Sequence, residues 1–239
     1  MICRIKFRRM RYERTLTPVG MDRPTLVQPG YGGGVNWGSV SVDFDHGIMV
    51  AAWMNLPTQA QLITRAQAKE KGLKIADGMG PVPTDAPMED TPYGAVLGPF
   101  LSPLGAPCSA PPWGLMTAVD LGTGRVIWSK PFGTAYDTGP LGIRSHLPLP
   151  MGVPFSGGAI TTRGGLVFIA ASVEQAFRAY DVATGEEVWK VRLPAGGQAT
   201  PMTYRSPKSG RQFVVIAAGG KPTLKTKQGT KIVAYALPR

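Results

Sequence analysis

Residues 118–128 read AVDLGTGRVIW, and residues 179–189 read AYDVATGEEVW. Both stretches match the pattern A-x-D-x-x-T-G-x-x-x-W, and their first residues lie 61 positions apart. Each copy predicts a β-hairpin: one strand ends at the Asp, a turn carries Thr-Gly, and a second strand carries the Trp. Self-similarity at a fixed period indicates a repeat architecture, so these copies outweigh any local secondary-structure prediction.

The segment that precedes the second copy predicts another hairpin. Residues 157–170 read GGAITTRGGLVFIA, with a turn at RGG. Two hairpins supply four strands, which make one blade of a β-propeller. Partial copies flank this blade at residues 39–52, 201–218 and 231–236. The prediction is an all-β fold, a partial β-propeller of about three four-stranded blades. A β-sandwich is the alternative, but evenly spaced sandwich strands do not repeat a Trp motif.

The number of blades predicts an incomplete ring. A propeller typically needs four to eight blades to close, so about three blades form part of a larger propeller. Residues 1–10, MICRIKFRRM, alternate apolar with basic residues, which predicts the middle of a strand and a chain that starts inside an element. Residues 1–239 are therefore predicted to be a single partial propeller domain.

A long insertion at residues 54–113 separates the two hairpins of the first predicted blade. It is rich in Pro and Gly, and the nearest approach to a helical pattern is residues 61–71, which end at Gly72. Its apolar residues need a surface to pack on. We therefore predict a loop and short-helix insertion that is ordered over the propeller rather than a flexible linker.

Charge and hydropathy exclude several classes of protein. The formal net charge is +11, yet no aromatic residues interleave with the late lysines and no nucleic-acid motif is present, so no nucleic-acid partner is predicted. A solvated cationic rim explains the charge. No stretch approaches the roughly 18 apolar residues of a membrane helix, and the first residues lack the apolar centre of a signal peptide.

Few residues offer metal-binding or acid–base chemistry. Cys3 and Cys108 could be two buried thiols or, in an oxidising compartment, a disulfide, and the sequence leaves both open. His46 falls in a predicted turn beside solvent, while His146 and Asp137 fall in a loop between blades, where structural roles are commoner than catalytic ones. No catalytic residue and no metal ligand are predicted in this chain.

One local cluster of residues suits a ligand. Residues 29–38 read PGYGGGVNWG. Glycines permit close approach of the backbone to a ligand, and Asn36 beside Trp37 offers a polar group next to a flat ring, which suits a planar, polar cofactor. The same residues also suit a glycine-rich connection between blades with a docking Trp. Residue chemistry alone does not decide between the two.

Several further stretches, together with the two Trp motifs, fit one known group of proteins. They are residues 3–4 (CR), 10–13 (MRYE), 36–43 (NWGSVSVD), 93–94 (YG), 99–103 (PFLSP), 107–108 (PC), 193–204 (LPAGGQATPMTY) and 234–238 (AYALP). Over nearly its whole length the chain resembles the C-terminal part of the membrane-bound pyrroloquinoline quinone (PQQ) dehydrogenases, the glucose and quinate dehydrogenase group.

The resemblance implies a fold, a cofactor and a location. The complete protein would be an eight-bladed propeller on the periplasmic side of the inner membrane, behind an N-terminal membrane anchor. PQQ and a divalent cation, Ca²⁺ or Mg²⁺, would lie near its axis, and a sugar or polyol would be oxidised with electrons passed to ubiquinone. The family's catalytic Asp and most cofactor and metal contacts would lie in earlier blades, so the isolated chain is expected to have no turnover.

The resemblance also names candidate cofactor contacts. Asn36 and Trp37 match positions that approach PQQ in related quinoprotein alcohol dehydrogenases. Lys221 stands where the family often has a His, and it is the third candidate. Ala52 stands where the family tends to have an Asn near the cofactor. These two departures favour a remnant of a truncated gene as one alternative to a working dehydrogenase segment. A non-catalytic propeller scaffold, which would carry similar repeats, is the other.

Overall fold

Fifteen strands and two short helices make up the described part of the chain. The computed structural model describes residues 1–14, 16–74 and 85–237. Part of the predicted insertion, with Pro81 and Pro83, lies outside these residues, as does Pro238. The helices are α1 (Ile2–Arg8) and α2 (Arg65–Glu70). The strands are β1 (Thr25–Val27), β2 (Val40–Asp43), β3 (Ile48–Met54), β4 (Thr58–Thr64), β5 (Asp85–Pro87), β6 (Tyr93–Pro99), β7 (Gly114–Asp120), β8 (Val126–Pro131), β9 (Ala159–Thr162), β10 (Leu166–Ile169), β11 (Ala176–Asp181), β12 (Glu187–Arg192), β13 (Met202–Arg205), β14 (Gln212–Ala218) and β15 (Lys231–Tyr235).

These elements fall into two compact units. The first comprises Met1–Gly33 and Asn55–Ala110, and the second comprises Gly34–Met54 and Pro111–Arg239. We refer to them as the first unit and the second unit. None of the helices in the described ranges is long and apolar enough to cross a membrane.

Three antiparallel sheets form the second unit, as the repeats predict. Their strand orders are β2-β3-β7-β8, β9-β10-β11-β12 and β13-β14-β15. In the first sheet β3 pairs with β7 from Ile48–Asp120 to Met54–Gly114, although the two strands are far apart in the chain. The prediction of a partial propeller of about three blades is confirmed, and the third sheet has three strands among the described residues rather than four.

The turn of each repeat is closed by its own side chains. The Asp120 carboxylate accepts hydrogen bonds from the backbone N–H and the hydroxyl of Thr123, at 2.7 and 2.9 Å. In the second copy the Asp181 carboxylate accepts the same pair from Thr184, at 2.8 and 3.0 Å. Gly124 follows with φ of +70°, a conformation that a Cβ atom disfavours. This explains why Asp, Thr and Gly recur at fixed spacing.

The Trp of the first copy docks onto the turn of the second copy. Trp128 is 9% exposed, and its indole N–H donates a hydrogen bond to the Val182 carbonyl at 2.8 Å. A Cβ atom on Gly185 would lie only 2.6 Å from the Trp128 ring, so glycine is needed there. Trp189 packs edge-on against Tyr235 of the third sheet, with ring centroids 5.2 Å apart. Each Trp thus joins its sheet to the next.

Hydrogen bonds also join the first two sheets at their first strands. The Ser41 hydroxyl on β2 accepts from the Thr161 backbone N–H on β9 at 2.7 Å, and the Thr161 hydroxyl donates to the Val42 carbonyl at 2.9 Å. The apolar core beside these strands includes the buried side chains of Val50, Met116, Phe155 and Val167. The second unit therefore holds its sheets face to face by both apolar packing and polar contacts.

The first unit corrects two predictions about the chain. It contains a four-stranded sheet, β1-β4-β6-β5, so the segment 54–113 is not merely loop and short helix. The start of the chain is the helix α1 rather than a strand. A disulfide joins Cys3 on this helix to Cys108, which settles the pairing that the sequence left open. The bridge and the burial of Met10 outweigh the short apolar–basic alternation that predicts a strand.

The predicted helix at residues 61–71 is shorter than expected. Residues 61–64 belong to β4, and α2 begins only after Thr64. The Thr64 hydroxyl accepts from the Gln67 backbone N–H at 3.2 Å, and the Gln67 side chain accepts from the Thr64 backbone N–H at 2.9 Å. This reciprocal pair is a capping box, which fixes where a helix starts.

Candidate functional site

Three loops of the second unit bring Trp37, Ser156 and Lys221 together. Trp37 precedes β2, Ser156 precedes β9, and Lys221 follows β14. The Ser156 hydroxyl accepts a hydrogen bond from the Trp37 indole N–H at 3.0 Å and another from the Lys221 ammonium at 2.7 Å. We call these three residues the Trp37 cluster. Two of its members were predicted from sequence, and Ser156 was not.

A tight turn presents Trp37 to solvent. The Asn36 side-chain oxygen accepts from the Trp37 backbone N–H at 2.7 Å, and the Ser39 backbone N–H donates to the Asn36 carbonyl at 2.8 Å. The Trp37 side chain remains 59% exposed, which is high for so large an apolar group. Because the indole N–H is engaged by Ser156, the exposed part of Trp37 offers chiefly its aromatic surface.

Backbone-to-backbone packing underlies the turn. A Cβ atom on Gly38 would lie 2.1 Å from the Gly157 carbonyl oxygen, and one on Gly158 would lie 2.4 Å from the Gly38 carbonyl oxygen. Only glycine allows this approach. Gly38 and its partners therefore serve contact between two loops of the protein itself, which was one of the two interpretations that the sequence left open.

The Lys221 loop is anchored on its far side. The Lys221 backbone N–H donates to the Thr226 hydroxyl at 2.7 Å, and the Gly220 backbone N–H donates to the Gly196 carbonyl at 2.8 Å. The Lys221 ammonium lies 5.8 Å from the centroid of the Trp37 ring, within the range of a cation–π interaction. The cluster thus combines an exposed aromatic surface with a fixed positive charge.

The other residues considered from sequence lie elsewhere. Ala52 is buried in the apolar core of the second unit. Asp137 accepts two hydrogen bonds from the Arg192 guanidinium, at 2.6 and 3.0 Å, and one from the Gln175 backbone N–H at 2.8 Å. Burial alone would raise the pKa of the Asp137 carboxyl, but these donors hold it below its usual value. Asp137 is thus a structural anchor. His146 packs edge-on against Tyr136.

His46 pairs with the carboxylate of Asp43 in the first hairpin turn. The distance between His46 Nδ1 and Asp43 Oδ2 is 2.8 Å. The hydrogen bond and the negative charge of Asp43 raise the pKa of His46 above its ordinary value. Burial tends to raise the pKa of Asp43, but the side-chain and backbone hydrogen bonds from His46 bring it below its ordinary value.

We expect this pair to stabilise the turn between two pH limits. The contribution of His46 is complete below its unfolded pKa and is lost as the pH rises through its raised folded pKa. The contribution of Asp43 is lost as the pH falls through its lowered folded pKa. An NMR titration should give His46 a pKa above that of a model peptide, and the D43N variant should lower it towards the peptide value, since Asp43 is the main cause of the shift. An unchanged pKa in D43N would contradict the assignment.

The described residues hold no group of three or more His, Cys, Asp or Glu side chains that could bind a metal ion. The Trp37 cluster likewise brings no carboxylate into an ion pair with Lys221 among the residues that the structure describes. The arrangement is therefore suited to binding and orienting a flat, negatively charged group rather than to acid–base catalysis.

Ser156 was missed because its role depends on contacts across more than sixty residues. The sequence PFSGG does contain a glycine pair, Gly157 and Gly158. That pair predicts a tight connection, but nothing in it indicates that the preceding hydroxyl accepts from residues 119 positions earlier and 65 positions later.

Comparison with known proteins places the chain in one family. A family model of the PQQ β-propeller domain of glucose, ethanol and alcohol dehydrogenases matches residues 1–214. The quinoprotein glucose dehydrogenase of Escherichia coli is 45% identical over 239 residues, which cover 100% of this chain and 30% of that protein. The quinate/shikimate dehydrogenase (quinone) of Acinetobacter baylyi is 44% identical over 244 residues, covering 100% of this chain and 29% of that protein.

A solved structure supports the fold. The quinohemoprotein alcohol dehydrogenase of Comamonas testosteroni superposes with a TM-score of 0.54 at 22% identity, covering 90% of this chain and 28% of that one. The chain spans less than a third of the length of these relatives. Its Trp-repeat sheets, its match to the family model and its identity over the whole chain agree, and the protein belongs to the PQQ-dependent dehydrogenase family of β-propellers.

Proposed function

We propose that this chain is the C-terminal segment of a PQQ-dependent dehydrogenase that oxidises a sugar or polyol, of the glucose or quinate type, and passes electrons to ubiquinone. Residues 1–239 would form one partial propeller domain, interrupted by the insertion at 54–113. The names of the E. coli and A. baylyi relatives support the substrate class and the quinone acceptor. The location proposed is the periplasmic side of the inner membrane, with the earlier blades and a membrane anchor as partners.

The observation that carries this proposal is the convergence of Trp37 and Lys221 on one buried hydroxyl. PQQ is a flat, fused-ring quinone with three carboxyl groups. An exposed indole surface next to an ammonium group fits such a molecule, since stacking and charge complement its rings and its carboxylates. We propose Trp37, Lys221 and the neighbouring Asn36 as contacts for PQQ on this wall of its site.

The cofactor carries the redox chemistry, and the protein binds and orients it. When bound, PQQ supplies a two-electron acceptor, and a divalent cation, Ca²⁺ or Mg²⁺, would polarise it as a Lewis acid. The residues of this chain hold and orient one side of that group. We place the base that removes the alcohol proton, and the metal ligands, in blades that are not part of this sequence.

Calorimetric titration of the chain with PQQ tests the proposed contacts. We expect one saturable site, and roughly tenfold weaker binding in each of the variants Trp37→Leu and Lys221→Met, the effect expected when one charged or stacking contact is lost. Lys130→Met is the matched control, because Lys130 is an exposed lysine on β8, and it should leave the affinity unchanged. Absence of saturable binding would contradict the proposed cofactor site.

The isolated chain should bind without catalysing. Mixed with PQQ, Ca²⁺ and glucose, it should reduce no electron-accepting dye, because the base and metal ligands are expected elsewhere. Dye reduction above the level of free PQQ would show that the chain contains its own catalytic groups, contrary to this account.

A further inference from the structure

We propose that Ser156 is the positioning residue that makes the Trp37 cluster selective for a carboxylate-bearing ligand. This inference rests on the proposed function, because the ligand it concerns is PQQ. One buried hydroxyl holds both the Trp37 ring and the Lys221 ammonium in place. The cluster therefore recognises the negative charge of the ligand in addition to its flat shape.

The hydroxyl geometry allows both contacts at once. A serine oxygen has two lone pairs and can accept two hydrogen bonds. Ser156 accepts at 3.0 Å from the Trp37 indole and at 2.7 Å from the Lys221 ammonium, and it is only 3% exposed. At this depth solvent competes little for the hydroxyl oxygen, so each hydrogen bond holds its side chain in place.

The backbone around Ser156 is itself held. The Ser156 backbone N–H donates to the Ala171 carbonyl at 2.9 Å. The following residue, Gly157, approaches the Gln198 carbonyl so closely that a Cβ atom would lie 2.3 Å from its oxygen. The Gln198 side chain in turn donates to the Ser172 carbonyl at 2.9 Å. These contacts fix the position of the Ser156 hydroxyl, and the hydroxyl in turn fixes the positions of Trp37 and Lys221.

The N–H bonds that remain on the Lys221 ammonium determine which charge the ligand carries. An ammonium group has three N–H bonds, and Lys221 uses one of them on Ser156. No carboxylate among the described residues forms an ion pair with Lys221, whose ammonium lies over the Trp37 ring, 5.8 Å from its centroid. The cluster presents positive charge next to an aromatic surface. A neutral ring of the same shape would use the surface and gain nothing from the charge.

Loss of the hydroxyl should release both partners. In Ser156→Ala the Lys221 side chain is free to turn into solvent, and the Trp37 indole loses its buried acceptor. The aromatic surface remains available, so affinity for a neutral flat ligand should change little, while affinity for an anionic one should fall. This difference separates a positioning role from a merely structural one, because loss of a structural residue would lower the affinity for both ligands alike.

Calorimetric titration with PQQ and with its uncharged trimethyl ester tests the proposal. We expect the wild-type chain to bind PQQ about tenfold more tightly than the ester. Ser156→Ala should bind PQQ about tenfold more weakly than wild type and the ester with unchanged affinity, so that the preference disappears. Ser156→Thr, which keeps a hydroxyl, should restore the preference. Ser41→Ala is the matched control, since it removes a hydroxyl that also accepts from a residue distant in the chain but lies outside the Trp37 cluster, and it should behave as wild type.

The outcomes separate the two proposals. If PQQ binds but Ser156→Ala keeps the preference, the role of Ser156 is wrong and the cofactor site stands. If the affinities for both ligands fall equally in Ser156→Ala, the hydroxyl is structural and the selectivity proposal fails. If the wild-type chain binds neither ligand, the proposed function fails and the Ser156 inference falls with it.

Discussion

The variant Trp128→Ala should lower the free energy of unfolding of the second unit by about 3–5 kcal/mol, as for other buried tryptophans cut back to alanine. Trp128 fills the space between two sheets, and its indole N–H bonds to the Val182 carbonyl at 2.8 Å. Truncation removes the buried ring and leaves that carbonyl without its donor. Urea unfolding monitored by circular dichroism measures the loss.

Trp37→Ala is the matched control for this experiment. It removes the same side chain from a site that is 59% exposed, and it should cost less than about 1 kcal/mol. Trp128→Phe should fall between the two, because it keeps most of the apolar area and loses the hydrogen bond. Equal losses for Trp128→Ala and Trp37→Ala would show that the repeat Trp does not join the sheets.

Removal of the guanidinium in Arg178→Met should also destabilise the second unit by about 3–5 kcal/mol, the usual cost of breaking a buried ion pair. Arg178 and Glu174 form such a pair, with side chains 1% and 2% exposed. Arg178 also bonds to Glu187 at 2.8 Å, while Glu174 contacts Lys190 at 3.1 Å. Without Arg178, the Glu174 carboxylate stays buried with less compensating charge.

The pH dependence gives this prediction a second readout. Burial would raise the pKa of Glu174, but the charge and hydrogen bond of Arg178 hold it below its ordinary value. Glu174 therefore stabilises the fold above its unfolded pKa, and this contribution is lost as the pH falls through the folded pKa. Arg163→Met is the control, since the Arg163–Asp45 pair is exposed and should contribute under about 1 kcal/mol. Similar losses in Arg178→Met and Arg163→Met would contradict the account.

The repeats allowed the hairpins of the second unit to be predicted because each repeat encodes its own turn. Asp, Thr and Gly within five residues specify the hydrogen bonds that close it, and these contacts need no information from the rest of the chain. The position of Trp128 on the strand after the turn followed from the same pattern. Elements whose contacts are local, or that recur, are the ones that sequence reasoning recovers best.

Predictions failed where distant contacts decide the structure. Residues 1–10 alternate too briefly to distinguish a strand from a helix, and the helix is fastened through Cys3 to Cys108. The residues TQAQLIT form β4, although the same segment could start a helix; the capping box at Thr64 and Gln67 was a readable signal that the helix starts later. Paired strands β4 and β6 override the local preference.

The candidate site divides in the same way. Asn36, Trp37 and Lys221 could be proposed from their types and positions, but no local signal placed Lys221 against Trp37. The link is Ser156, a small polar residue that contacts both side chains only because the fold brings three loops together. The buried Arg178 was missed for a related reason: a charged residue within the strand AFRAYD usually predicts a solvent-facing position.

A chimera tests whether this chain is a working dehydrogenase segment: it would replace the matching 30% of the E. coli quinoprotein glucose dehydrogenase, to which it is 45% identical. We expect the purified chimera to oxidise glucose in a PQQ-dependent manner and to reduce a ubiquinone analogue, while the enzyme lacking the segment does neither. The control re-inserts the native segment through the same junctions. A chimera that is folded and exported like this control but inactive with PQQ and Ca²⁺ would contradict the account, and would favour the propeller scaffold or the gene remnant.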